Sequence, residues 1–437
     1  KSGPISMLQV EHAYGSFGND KKYLEELRKY WLQNGIDIPF YTADGPNAAL
    51  LEAGTLDDAV IGLDSGSSEA DFERAKKIHP GLHAFSSETY TGWLTHWGEK
   101  WASSDTNHLK KELTWLLVNN KSFNLYLVHG GTNFGFTAGA NAFSPTQFQP
   151  DVTSYDYDAP ISEQGRATPK FFMIRELIRR FTTQSLPPVP SPVETISIPP
   201  FEMIYSNTIW NGAGRYVRSV QPRPIEEFDQ GQGLVIYRTE LVGHKGGKLT
   251  IREPHDYALV FLNHHFIDTV FRDGGKWTID LPAPDINVIN PVLEILVEAM
   301  GHINYGEFMP DRKGITERVT LNGMTLMNWE ISLLPMDSTF IEMAAGPSRG
   351  IANDKPGIFF RGRFNLEKTG DTYFDMSHFS KGMVYMNGHN LGRYWNLGPQ
   401  QRLYCPAAWL NKGENQVIVF DLHRLEGEMI RGMPGPD

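Results

Sequence analysis

From residue 5 to about residue 183, short apolar runs alternate with longer amphipathic stretches. The runs at 5–10, 38–43, 59–63, 82–86 and 123–129 have the length of buried strands, and 20–34, 69–78, 107–118 and 169–181 have helical spacing. Thr106 suits the N-cap of the third helix. Strands alternating with helices in this way predict a parallel sheet built from βαβ crossovers. Five such strands fit either an open doubly wound sheet or the last five of a barrel's eight, and periodicity does not choose between them. The chain opens Lys1-Ser2-Gly3-Pro4 immediately before its first strand, which suggests that a segment is missing upstream.

Six prolines between 187 and 200 then predict a stiff linker over 184–200. Beyond it, short strands separated by Gly, Asn, Asp and Pro read as β-sandwich. This half carries a duplication. Gly233-Leu-Val-Ile-Tyr-Arg recurs as Gly357-Ile-Phe-Phe-Arg-Gly, Val260-Phe-Leu-Asn as Val384-Tyr-Met-Asn, Trp277-Thr-Ile-Asp-Leu-Pro as Gln401-Arg-Leu-Tyr-Cys-Pro, and Leu293-Glu-Ile-Leu as Val417-Ile-Val-Phe, all at an offset of 124. The expected organisation is an α/β region over 1–183, the linker, a first sandwich over 201–345 and a second over 346–437.

Composition narrows the function. Fifty-one acidic against 40 basic residues leave a net charge of −11, which argues against nucleic acid or an anionic membrane as partner. No apolar run approaches the ~18–20 residues of a membrane-spanning helix. The single cysteine, Cys405, rules out an internal disulfide or a Cys-based zinc cluster, and the histidines show no metal-ligand spacing, so neither metal nor cofactor is expected.

Active sites of parallel α/β folds lie at the C-terminal ends of strands. The five runs lead into Glu11-His12-Ala13-Tyr14-Gly15, Asp44-Gly45, Asp64-Ser65, Ser87-Glu88-Thr89-Tyr90-Thr91-Gly92-Trp93 and Gly130-Gly131-Thr132-Asn133. Two glutamates with Tyr90 and Trp93 close behind suggest a sugar site. Glycoside hydrolysis uses a carboxylate pair, and aromatic rings cover the apolar face of a pyranose. Each glutamate taken alone reads first as a salt bridge or a helix cap. Asp44 and Asp64 fit caps or rim ligands and stay unassigned. The Gly130-Gly131 loop lacks the further glycines or the lysine of a phosphate cradle.

Long stretches resemble glycoside hydrolase family 35, the β-galactosidases. They are Gln9-Val10-Glu11-His12-Ala13-Tyr14-Gly15-Ser16, Glu88-Thr-Tyr-Thr-Gly-Trp-Leu-Thr-His-Trp-Gly98, His129-Gly-Gly-Thr-Asn-Phe134, Ser154-Tyr-Asp-Tyr-Asp-Ala-Pro-Ile-Ser-Glu163 and Asn387-Gly-His-Asn-Leu-Gly-Arg-Tyr-Trp395. The resemblance spans the chain in order. It implies a (β/α)8 barrel of TIM type, with residues 5–10 as strand 4, followed by two jelly-roll sandwiches that pack on the barrel; independent polysaccharide binding by them is the alternative. Strands 1–3 are absent, so a segment of about 150–180 residues, set by three βα units with insertions, is expected as a second chain or an omitted part.

The same resemblance implies a retaining exo-β-galactosidase, of bacterial type, that removes terminal non-reducing β-D-galactosyl residues by double displacement, periplasmic or at the cell surface. Glu88 takes the place of the nucleophile, Trp93 of a pocket-wall tryptophan, and Tyr157 of a tyrosine that hydrogen-bonds near the nucleophile. His12, with Tyr90, Trp93 and Tyr157, is expected to bind substrate, because it replaces an asparagine that holds the sugar 2-hydroxyl.

Ala13 stands where the family pattern has the acid/base glutamate, and it has no proton to give. Glu11 on an extended strand faces the same side but lies about 6–7 Å deeper, and His12 starts from the opposite face. The chain as written is therefore expected to be impaired. A lone carboxylate deletion among intact motifs reads as a deliberate replacement, with natural loss as the alternative. Two rival functions follow: a non-hydrolytic galactoside-binding protein, and an exo-glycosidase for another β-sugar such as glucosamine.

Overall fold

A computed structural model describes residues 5–211, 215–243, 246–283, 289–348 and 355–436; the opening residues 1–4 lie outside them. The first region is a five-stranded, all-parallel sheet in sequential order: β1 (Leu8–His12), β2 (Phe40–Asp44), β3 (Val60–Asp64), β4 (Ala84–Tyr90) and β5 (Phe123–Tyr126). The crossovers run through α1 (Lys21–Gln33), α2 (Ala48–Gly54), α3 (Glu69–Ile78) and α4 (Thr106–Val118), and α5 (Pro169–Arg179) closes the layer. Leu51, Ile61, Leu63, Phe72, Leu113, Leu116 and Ile174 form one apolar cluster between helices and strands. The outer edges of β1 and β5 pair with no further strand among the described residues.

Local signals account for the helix ends. Asp20 caps α1 by accepting the Lys22 N–H, Ser68 and Asp71 form a capping box on α3, and Thr168 caps α5 ahead of Pro169 at its first position. Thr106, expected as the cap of α4, is its first residue instead. Asp105 is the cap and accepts the Asn107 N–H, because a carboxylate one residue earlier reaches the free amide and complements the helix dipole. The short α2 has no counterpart among the expected helices, since its seven residues are too few to set a period.

The second half forms two sandwiches of matching layout. One pairs a six-stranded sheet, in the order Arg215–Ser219, Trp329–Leu334, Gly233–Glu240, Val292–Ala299, Tyr257–Leu262, His265–Phe271, with a four-stranded one. The other has a five-stranded sheet, in the order Ile204–Thr208, Ile358–Leu366, Gly413–Asp421, Lys381–Met386, His389–Trp395, and its own four-stranded sheet. Strands at the 124-residue offset occupy equivalent places: Tyr257–Leu262 and Lys381–Met386, His265–Phe271 and His389–Trp395, Thr278–Leu281 and Arg402–Cys405.

The strands Ile198–Glu202 and Ile204–Thr208 correct the expected boundaries. The expected linker and the opening of the expected first sandwich contain them, yet they pair with Met429–Met433 and Ile358–Leu366 of the second. They fill the places that Met324–Thr325 and Trp329–Leu334 hold in the first sandwich, whose strands begin at Arg215. The first sandwich is thus inserted into the second. The physical reason is the vacant edge: without these strands the sheets of the second sandwich end on exposed backbone donors and acceptors.

Buried charge joins the modules. Glu298 of the first sandwich accepts from Lys381 and from Arg393 Nε (2.9 Å) of the second, with all three side chains almost fully buried. The loops after β4 and β5 dock on both sandwiches. Thr153 Oγ1 donates to the Arg393 carbonyl (2.6 Å), Trp97 packs on Trp395, and the Ala140 N–H meets the His302 carbonyl (3.0 Å).

Candidate active site

Four strand ends and one returning loop converge. Glu88 lies within β4, two residues before its end, and only 6% of it is exposed. Its Oε2 accepts from the Tyr90 hydroxyl (3.0 Å), and the same hydroxyl donates to Asp64 at the end of β3. Its Oε1 lies 3.3 Å from His12 Nδ1. Burial raises the Glu88 pKa above the ordinary carboxyl value and the Asp64 charge adds to this, while His12 and the Tyr90 hydrogen bond act against it.

Rings wall the space around this carboxyl. Tyr90 meets Trp93 edge-on at 5.2 Å and Tyr126 at 5.7 Å, Tyr157 lies 6.0 Å from Tyr126 and 6.3 Å from Trp93, and His12 stacks at 6.3 Å on Tyr126. Half of Trp93 is exposed, so its ring is open to a ligand. The tyrosine hydrogen-bonded to Glu88 is Tyr90; Tyr157 feels the Glu88 charge, and burial raises its hydroxyl pKa far above the ordinary range.

The loop that brings Tyr157 in depends on close backbone approach. A Cβ on Gly92 would lie 1.6 Å from the Tyr157 carbonyl oxygen, and one on Gly130 1.8 Å from that of Tyr155. The Trp93 N–H donates to the same Tyr157 carbonyl (3.1 Å). Lys170 of α5, almost fully buried, clamps the next residue through Asp158 Oδ2 (2.8 Å) and ties it to the Thr91 carbonyl (2.7 Å). The Gly130-Gly131-Thr132 loop thus serves packing: Thr132 Oγ1 donates to Glu163 Oε1 (2.7 Å).

The geometry at positions 11–13 differs from strand alternation. The pairing of β1 with β2 shifts between Gln9 and His12, and Ala13 has φ +53°, in the left-handed region. The Glu11 carboxylate turns back on the chain and accepts the His12 N–H (2.7 Å), whereas His12, expected on the far face, is the side chain that reaches Glu88. Asp44, 1% exposed, holds this turn by accepting the Gly15 N–H (2.7 Å), and burial pushes its pKa up to about 7. Beyond His12 and Ala13 a cleft of about 530 Å³ runs between Phe17 and Tyr23 on one side and the 304–309 loop of the first sandwich on the other. There the Tyr305 hydroxyl donates to Ser16 Oγ (3.0 Å).

Sequence reasoning brought Glu88, His12, Tyr90, Trp93 and Tyr157 to this site, and the structure gathers all five. It missed Tyr126, which ends β5 and was open to the same strand-end rule, and it left Asp64 unassigned.

Three family models match the chain: "Glycosyl hydrolases family 35" over residues 1–181, "Beta-galactosidase, first all-beta domain" over 222–337 and "Beta-galactosidase, galactose-binding domain" over 357–415. The chain is 36% identical over 408 residues to the "Beta-galactosidase" of Xanthomonas manihotis, covering 92% of this chain and 67% of that protein. The chain belongs to glycosyl hydrolase family 35. This glycoside hydrolase is also 32% identical over 466 residues to "Beta-galactosidase 1" of Dictyostelium discoideum, covering 96% and 69% of the two chains. It is 36% identical over 463 residues to "Beta-galactosidase 17" of Arabidopsis thaliana, covering 96% and 66%.

One titrating group ties the site's loop to the second sandwich. Glu163 is buried beside Tyr373, and its pKa rises to about 8, chiefly through that burial. Because the folded pKa lies above the unfolded 4.5, its contribution is intact at acid pH and is lost as pH rises toward and through about 8. Glu163→Gln is therefore expected to lessen the fall in melting temperature between pH 5 and 9. Thermal melts across that range check this, and an unchanged pH dependence counts against it.

Proposed function

We propose that this hydrolase is a retaining exo-β-galactosidase in which Glu88 is the nucleophile. The observation that carries the reading is a buried carboxyl at a strand end, inside a wall of Tyr90, Trp93, Tyr126 and Tyr157, with its charge supported by Tyr90 and His12. The aromatic rings suit the apolar face of a pyranose, and the names of the three relatives support galactose as the sugar. A Glu88 oxygen attacks the anomeric carbon as the bond to the leaving oxygen breaks. Water then cleaves the galactosyl ester from the opposite face, so configuration is retained. Tyr90 orients Glu88, and Trp93 and Tyr157 bound the sugar. Ala13 supplies no proton, so a carboxyl acid is lacking at that position and hydrolysis of unactivated galactosides is impaired relative to a chain carrying glutamate there.

The same reading gives the sheet edges a partner. A segment with three further parallel strands and their helices, on the same chain or a second one, closes the edges of β1 and β5 into an eight-stranded barrel. Such a polysaccharide-trimming enzyme belongs outside the cytoplasm, in the periplasm or at the cell surface.

Intact-mass analysis after incubation with 2-deoxy-2-fluoro-β-galactosyl fluoride tests the reading, because fluoride leaves without an acid. An adduct mapping to Glu88 is expected. No adduct on folded protein overturns it in favour of non-hydrolytic galactoside binding.

A further inference from the structure

We propose that the His12 imidazole is the proton-transfer catalyst of this site, acid to the leaving oxygen and then base to the attacking water. The inference rests on the reading of Glu88 as nucleophile. It starts from position: His12 Nδ1 is 3.3 Å from Glu88 Oε1, and the same side chain lines the cleft that runs past Ala13 toward Tyr305. A glycosidic oxygen joining a sugar over Glu88 to a group in that cleft passes His12. The ring is more than half exposed, so it can swing from the nucleophile to the leaving oxygen when a sugar enters.

The surroundings of Nδ1 suit both protonation states. Gln9 Oε1 accepts from the Tyr41 hydroxyl (3.0 Å), which turns the Gln9 amide nitrogen toward His12 Nδ1 at 3.2 Å. A neutral ring accepts from that amide, while a protonated one donates to the Glu88 carboxylate. The groups facing the imidazole are Glu88 and Tyr90 of β4, with Asp64 of β3 behind them, Tyr126 of β5, Tyr41 of β2 through Gln9, and Glu11 of its own strand. Glu11 is poorly placed for the role, because its carboxylate is bound to the His12 N–H. The backbone irregularity at Gln9–His12 and the left-handed Ala13 are what bring the ring round to Glu88.

The steps balance. In the first, Glu88 forms a bond to C1, the C1–O bond to the leaving group breaks, and that oxygen takes the imidazolium proton. In the second, water bonds to C1, gives a proton to the neutral ring, and Glu88 departs as carboxylate. Catalysis of this kind is worth about 10²–10⁴-fold and matters most for poor leaving groups.

The test compares methyl β-galactoside, which needs an acid, with 2,4-dinitrophenyl β-galactoside, which does not. His12→Ala and His12→Gln are both expected to lose about 10²–10⁴-fold in kcat/KM on the methyl glycoside and less than about tenfold on the dinitrophenyl one. Azide speeds dinitrophenyl turnover by His12→Ala and yields β-galactosyl azide, since it enters from the face that water uses. Equal losses on both substrates, or wild-type rates in His12→Gln, overturn the inference. Labelling at Glu88 by the fluorosugar is independent of His12: a labelled wild type with unaffected His12 variants sinks this inference alone, and an unlabelled wild type sinks the reading of Glu88 with it.

Discussion

Glu88→Ala is expected to lower kcat/KM on an aryl β-galactoside by about 10⁴–10⁶-fold, the scale on which removal of a covalent nucleophile is felt. No neighbour can take over. Asp64 is occupied by the Tyr90 hydroxyl, and the Glu11 carboxylate is turned onto the backbone of His12. Stability should move the other way. Glu88 is a buried acid whose charged form is disfavoured by burial and by Asp64, so its removal relieves a cost that only function explains. Steady-state kinetics and a thermal melt on the same sample check both halves. Azide offers a further readout: attack from the face that Glu88 vacates yields α-galactosyl azide, the opposite anomer to that expected from His12→Ala. A variant that keeps more than about a hundredth of the wild-type rate would place the nucleophile elsewhere.

The second large effect is on stability. Lys313 is completely buried and donates to Asp256 Oδ2 (2.8 Å) and the Gly301 carbonyl (2.8 Å), with Asp311 Oδ2 also at 2.8 Å. Arg272 Nη1 binds the same two carboxylates at 3.0 and 2.7 Å, and Phe148 from the loop after β5 lies over both cations. Burial opposes the Asp311 charge, but Lys313 and Arg272 outweigh it and hold its pKa below the ordinary value. Lys313→Met leaves two buried carboxylates facing one guanidinium, which is expected to cost about 3–5 kcal/mol. Urea unfolding of the variant against wild type measures it. A depressed carboxyl pKa stabilises above the unfolded value and is lost as pH falls through the folded one, so the variant should lose this acid sensitivity and regain ground on wild type at low pH. A change under about 1 kcal/mol would mean that water or rearrangement compensates the site.

Much of this molecule was legible from residue order. Periodicity placed all five parallel strands and four of the five flanking helices, because each buries apolar residues between the sheet and its helices and must repeat with that burial. The constant 124-residue offset between Trp277-Thr-Ile-Asp and Gln401-Arg-Leu-Tyr carried through to equivalent places in two sheets. Glu88 and Trp93 were found by the strand-end rule, and Tyr157 by resemblance. Asp64 was seen but had no reading, since its role depends on Tyr90 reaching across from the next strand.

What escaped depends on contacts between residues far apart in the chain. The strand at Ile204–Thr208 looked like the start of the next module because it precedes it, yet pairing is decided by which sheet edge lies vacant, and that edge belongs to Ile358–Leu366. Strand alternation alone puts the His12 side chain on the face opposite Glu11 and position 13, although the resemblance makes it a substrate ligand. The Ala13 N–H binds the Ala43 carbonyl and the Gly15 N–H binds buried Asp44, and these bonds to β2 bend the chain out of register and into a left-handed residue. Sequence by itself therefore determined the elements, the repeat and the chemical types available to the site, because those follow from local periodicity and composition. Only the tertiary structure decided which strand completes which sheet and which side chain stands beside Glu88, because both are settled by hydrogen bonds that local pattern does not encode.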